Sequence, residues 1–184
     1  MKRLLLALLV LSSLTLVTVP THAASIGANF GFTHYLPSSG DGLSVIGIPN
    51  TGTLGLFAPG LRVTQPIGAS GQQWLVFDGG LTTLSASGNS LHMLGLLIGY
   101  QYAFSDAETS PYVTVGVGLN SVGGSGLSSV GNAVLGGGLG VRRRLPHGNG
   151  ALRAELHVDH EMDSENSSAS LTAIGLKLGF DLDL

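Results

Sequence analysis

Cysteine is absent from the 184 residues. A disulfide scaffold, a thiolate-ligated metal site and a thiol nucleophile are therefore excluded. Charge is scarce as well: Asp, Glu, Lys and Arg make up 10% of the chain, whereas a water-facing surface alone normally carries roughly 25–35%. Beyond Lys2 the only lysine is Lys177. With so few basic groups and a formal net charge of −3, the sequence has no electrostatic footprint for nucleic acid. Long apolar runs are missing too, except at the start. Lys2 and Arg3 precede the run Leu4–Leu11, and Pro20-Thr21-His22-Ala23-Ala24 offers small residues for cleavage, which reads as a signal peptide over residues 1–24. Removing Lys2 and Arg3 from the eight basic residues leaves six against eleven acidic ones. Later apolar stretches such as Leu54–Ala58 and Met93–Ile98 fall far short of the roughly 20 residues of a membrane helix. If the remainder enters a membrane, it does so as strands.

What the sequence does have is a period of two. In the last segment Ile174, Leu176, Leu178, Phe180, Leu182 and Leu184 alternate with Ala173, Gly175, Lys177, Gly179, Asp181 and Asp183. Before it, Leu152, Ala154, Leu156, Val158, His160 and Met162 alternate with Arg153, Glu155, His157, Asp159 and Glu161. Only a strand sorts such residues onto two faces. The same alternation runs through Asn132–Leu145, Tyr112–Asn120, His92–Phe104 and Ser25–Tyr35. Two further segments are less regular: Gly52–Gln65, interrupted by Pro59, and Gln73–Leu84, apolar on both faces at Trp74-Leu75-Val76-Phe77. Eight strands result. Compact turns at 66–72, 105–110 and 146–150 alternate with polar connections at Leu36–Thr51, Ser85–Ser90, Ser121–Val130 and Asp163–Ala169. An even number of strands with short turns at one end and longer loops at the other predicts an all-β fold. The specific expectation is an eight-stranded antiparallel up-and-down transmembrane barrel over residues 25–184.

Alternation does not by itself say which face is outside. A soluble lipocalin-like barrel has the same period with its apolar residues turned inward. Composition decides for the membrane arrangement: small residues and glycines crowd into a narrow lumen, and the few charges concentrate where they can pair. Setting Glu155 opposite Lys177 places Arg153 diagonal to Asp181 and lets Arg142 approach Glu155 from the other flank. The expectation is a lumenal ion-pair cluster of Arg142, Arg153, Glu155, His157, Asp159, Lys177 and Asp181. Tyr35, Trp74, Tyr100, Tyr102, Phe104 and Tyr112 are the candidate membrane-interface anchors.

With this pattern the chain resembles the small bacterial outer-membrane barrels of the OmpA transmembrane-domain, OmpX and opacity-protein group. The likeness is architectural and covers residues 25–184. It implies that Phe180, Leu182 and Leu184 form a signal read by the barrel-assembly machinery, although such proteins generally end on an aromatic residue where this chain has Leu184. It also implies that Arg142, Arg153, Glu155 and Lys177 stand where a charged cluster fills the barrel and gates a minor ion path.

Several groupings invite chemistry and have plainer explanations. His157 and Asp159 share a face but His160 does not, which argues against a metal site. Outer-membrane lipid A deacylases carry a His and a Ser on such strands; here His157 is followed two residues later by Asp159, and no nucleophile accompanies His160. Gly136-Gly137-Gly138-Leu139-Gly140 precedes no helix and is not a phosphate loop. Arg143 is placed to meet phospholipid headgroups, and Asp163-Ser164-Glu165 reads first as a solvated loop, with sharing of divalent cations with lipopolysaccharide as the alternative. The expected protein is an integral component of the cell outer membrane, without catalytic activity, cofactor or metal. Its role is structural or surface contact, with minor ion permeation. Its expected partners are outer-membrane lipids and lipopolysaccharide, the assembly machinery and an extracellular ligand at the loops. The alternatives are a lipid A-modifying hydrolase and a soluble periplasmic binding barrel.

Overall fold

The structure is a computed structural model that describes residues 24–37, 41, 43–47, 60–67, 70–86, 89–146, 149–162 and 171–184. The expected signal peptide lies outside the described residues, apart from Ala24. Nine strands follow in chain order: β1 (Ser25–Pro37), β2 (Leu43–Gly47), β3 (Gly60–Pro66), β4 (Gln73–Ala86), β5 (Asn89–Ala103), β6 (Thr109–Gly124), β7 (Leu127–Arg144), β8 (Gly150–Glu161) and β9 (Leu171–Asp183). All pairings are antiparallel, and β9 returns to β1 from Ser25↔Asp183 to Pro37↔Leu171. The sheet is thereby a closed barrel in which the start of β1 and the end of β9 share one rim, where the Leu184 amide donates to the Ala24 carbonyl at 2.8 Å. That rim is called the terminal end below, and the opposite rim the far end.

Nine segments make eight staves because β2 and β3 line the same edge of β1. Residues Gly31–Tyr35 pair with β2 and Ser25–Asn29 with β3. The sequence reading needs correction here. It places the upper part of the second stave at Gly52–Pro59 and treats Leu43–Gly47 as connection; the structure builds that part from Leu43–Gly47. Residues 48–59 lie outside the described residues. The expected polar connections at Ser85–Ser90 and Ser121–Val130 also prove to be mostly strand. Ala86 pairs with Asn89 and Gly124 with Leu127. The second turn closes because Gly126 adopts a φ of +77°, a left-handed conformation that suits glycine. The acidic segment Asp163–Glu165 lies outside the described residues.

The two faces sort as alternation requires. Outside, apolar side chains girdle the wall, among them Phe30, Leu61, Leu81, Leu96, Val117, Leu139, Leu156 and Leu178. Inside, the buried positions are largely polar or charged: Asn29, Arg62, Asp78, Thr114, Arg153, Glu155 and Lys177. A contiguous apolar belt on every stave far exceeds the few hundred Å² that a soluble monomer exposes. A lipocalin-like barrel requires the reverse sorting, so this orientation excludes it.

Candidate functional site

The lumen is built around β8. Its inward row Arg153, Glu155, His157, Asp159 and Glu161 is buried at every position. Long side chains fit a narrow barrel only where their neighbours leave space, and the flanking strands supply it. On β7 Gly140, Gly138 and Gly136 lie beside Glu155, His157 and Asp159; on β9 Gly179 and Gly175 lie beside Arg153 and His157. A methyl group at Gly138 would come within 2.8 Å of Glu155 Cγ and of the Leu156 carbonyl. One at Gly179 would come within 2.7 Å of Arg153 Nη2 and Asn29 Oδ1. Bulk on one strand is thus matched by glycine on the next. On the opposite wall Leu97 extends inward over Gly99 and Gly116.

The charges are tied into one network. Glu155 stands opposite Lys177 in the β8–β9 register, with Nζ to Oε1 at 4.0 Å. Arg153 grips Asp181 with two hydrogen bonds, Nε to Oδ2 at 2.7 Å and Nη2 to Oδ1 at 2.9 Å. Lys177 also lies 3.9 Å from Asp159, whose carboxylate is 3.6 Å from His157 Nε2. Tyr112 and Thr114 donate to Glu155 Oε2 at 3.0 and 3.4 Å. Across the barrel Arg62 makes a bidentate pair with Asp78, at 2.7 and 2.5 Å, and its Nη1 lies 3.7 Å from Glu155. Asn29 joins the two halves, accepting from Arg153 at 3.0 Å and donating to Asp78 at 3.4 Å. Three cations thus face four carboxylates among buried side chains. The cavity between Arg62, Leu97, Glu155 and Lys177 measures about 10 Å³, roughly room for one water.

Of the expected cluster, Arg153, Glu155, His157, Asp159, Lys177 and Asp181 come together. Arg142 does not. It pairs opposite Arg153 rather than Glu155, lies 3.8 Å from Asp183 at the terminal end, and stacks over the Trp74 ring at 5.6 Å. Arg62 and Asp78 are the central pair that sequence reading missed. Each lies between outward residues, Leu61 and Val63 or Phe77 and Gly79, so their inward parity was the available signal. Trp74 must also be corrected. It shares parity with Val76 and Asp78, is buried, and packs with Ala103 and Tyr112 inside the terminal end. Its amphipathic ring suits an interface, but its position in the register decides. Tyr112, equally buried, is a lumenal group as well. Tyr100, Tyr102 and Phe104 do lie on the outward parity near the terminal end, with Tyr102 and Phe104 edge to face at 5.6 Å. Phe180, Leu182 and Leu184 also face outward. The side chain of Tyr35 lies outside the described residues. On the outer surface His160 Nδ1 hydrogen-bonds the Thr172 hydroxyl at 3.0 Å, and among the described residues no carboxylate contacts the ring to complete a hydrolytic triad.

No protein-family model matches the chain, and no curated protein matches it. Solved structures do. The crystal structure of Neisserial surface protein A aligns with a TM-score of 0.63 and 14% identity, over 88% of this chain and 97% of that one. Ail, the attachment invasion locus protein of Yersinia pestis, in complex with the heparin analogue sucrose octasulfate, aligns with a TM-score of 0.51 and 13% identity, over 87% and 98%. The outer-membrane enzyme PagL aligns at 0.46 with 14% identity, over 84% and 97%. The fold is that of the small eight-stranded outer-membrane barrels.

Proposed function

We propose that this chain is an integral outer-membrane protein whose lumen is sealed by ion pairs and whose role is structural and surface contact. The carrying observation is the orientation of the wall. Apolar residues face out on every stave, while the charges turn inward and find partners. Water would favour the opposite sorting, whereas a bilayer requires this one, since closure satisfies the backbone without water. The fold shared with Neisserial surface protein A supports the location. At the level of Arg62, Glu155 and Lys177 the described lumen has room for about one water, which supports minor ion permeation. Contact with lipids is spread over the belt, and contact with other partners falls to the far-end hairpins. In this reading the terminal end faces the periplasm.

Cell fractionation followed by gel migration with and without boiling tests the reading. The expected result is recovery with the outer membrane and a heat-dependent mobility shift, because a closed barrel resists detergent until heated. Recovery in the periplasmic supernatant would overturn it.

A further inference from the structure

The lumenal ion pairs are of two kinds. Two are in direct contact: Arg62 reaches Asp78 at 2.7 and 2.5 Å, and Arg153 reaches Asp181 at 2.7 and 2.9 Å. Those that converge on the central cavity stand apart. Arg62 Nη1 lies 3.7 Å from Glu155 Oε2, and Lys177 Nζ lies 4.0 Å from Glu155 Oε1 and 3.9 Å from Asp159 Oδ2. His157 Nε2 is 3.6 Å from the same Asp159 oxygen. None of these is a direct hydrogen bond, and all five residues line the same cavity of about 10 Å³. Asp78 borders it as well, but both its oxygens are taken by Arg62. Arg62 is 1% exposed, and its Nη1 is buried without a hydrogen bond among the described residues, although Nε and Nη2 of the same guanidinium are both used on Asp78.

Such spacing is that of groups sharing a bridging molecule. Two groups that each bond one water at about 2.8 Å stand roughly 4 Å apart or slightly more, and a cavity of this size holds about one water. Chemistry selects among occupants. The wall offers two cationic donors, Arg62 Nη1 and Lys177 Nζ, and two carboxylate acceptors, Glu155 and Asp159. Water has two lone pairs and two protons, and so answers all four. A small cation would be repelled by the guanidinium and the ammonium, and an anion by the two carboxylates. His157 and Thr114 on the same wall can donate or accept, which leaves that balance unchanged. Glycines keep the space open. A methyl group at Gly136 would collide with the Asp159 carboxylate, and one at Gly116 would come within 2.8 Å of Leu97 Cδ2.

We propose that the lumen is a binding site for one ordered water, bonded to Arg62 Nη1, Lys177 Nζ, Glu155 and Asp159, which joins β3 to β8 and β9 and completes the seal. The inference rests on the sealed lumen of the reading above and names what closes its centre. A water so held turns the long cross-lumen contacts into hydrogen bonds nearly as good as direct ones. It also lets Lys177 serve two carboxylates at once without touching either.

The test is a crystal structure of the detergent-purified barrel, at a resolution that shows ordered water, grown from protein whose heat-dependent mobility shift reports a closed barrel. The expected result is one density peak within about 2.6–3.2 Å of all four groups, without anomalous signal after soaks in rubidium or bromide salts. In Lys177→Met, which removes one donor and puts an apolar chain in its place, the peak should be lost. A rubidium or bromide signal at the site would make the occupant an ion and overturn the proposal. The lack of any peak there in the wild type would overturn it too, and so would a peak that persists in Lys177→Met. If that variant does not fold, the wild-type crystals alone decide. A wild-type chain without the mobility shift would instead bring down the closed-barrel reading, and this proposal with it.

Discussion

Arg62 illustrates what a charge needs in order to stay inside a barrel: a bidentate carboxylate beside it and a second carboxylate within Coulomb range. Removing one member of such a pair strands the other. Arg62→Ala should therefore cost about 3–5 kcal/mol in urea unfolding of the micelle-bound protein. The paired replacement Arg62→Met with Asp78→Leu, which removes both charges at similar volume, should recover most of that loss. Recovery below half would mean that the cross-barrel contact to Glu155 matters more than the Asp78 pair. Glycines can be tested in the same way. Gly138→Ala sets a methyl against Glu155 and the Leu156 carbonyl, and should destabilise by about 1–3 kcal/mol. Gly131→Ala, whose added carbon would meet only the Asn120 carbonyl at 3.6 Å, is the control and should be close to neutral. Equal effects would show that strand propensity, not lumenal space, governs both.

At the scale of strands, the alternation of β8 predicts a fluorescence pattern. In a Trp74→Phe background, tryptophan at Leu152 or Leu156 should be quenched strongly by brominated lipid chains, and native Trp74 much less, because its ring lies inside. Comparable quenching would place Trp74 outside. The elements differ in how openly the sequence shows them. For β8 and β9, polar and apolar residues alternate without interruption, so faces, register and the pairs of Glu155 with Lys177 and Arg153 with Asp181 are readable. Trp74-Leu75-Val76-Phe77 is apolar on both sides, so nothing local tells which ring is lumenal; Asp78, one step of parity beyond Val76, holds that information. The second stave is hidden because its two parts are separated in sequence and joined only by their common edge on β1. The long β6–β7 hairpin is hidden for another reason: Ser and Gly around the turn look like loop, while ladder pairing to β5 makes them strand. Arg142 was misplaced by one pairing step, enough to move it from Glu155 to Arg153 and so to the terminal mouth.

For the molecule as a whole, the filled lumen predicts that wild-type protein in planar bilayers shows no steady open state. Trp74→Gly should leave that unchanged, because the seal is set by the Arg62, Glu155 and Lys177 level and not by the mouth. Arg62→Ala combined with Asp78→Ala should raise conductance; an increase with Trp74→Gly alone would move the barrier to the terminal end. The placement of the ion pairs also bears on the order of events as the chain leaves water. The strongest contacts join consecutive strands: Arg62 with Asp78 in the β3–β4 hairpin, Arg153 with Asp181 and Glu155 with Lys177 in the β8–β9 hairpin. The β3–β4 hairpin can match its charge before the barrel closes, while β8–β9 matches both of its cations and keeps an excess of carboxylates. The contacts that span the barrel, Arg62 to Glu155 and Asn29 to Arg153, form only when β9 meets β1. Weakening the first kind should slow insertion, and weakening the second should chiefly speed unfolding. The barrel is thus assembled from hairpins whose innermost charges are already matched, and its cross-lumen bonds act as the latch.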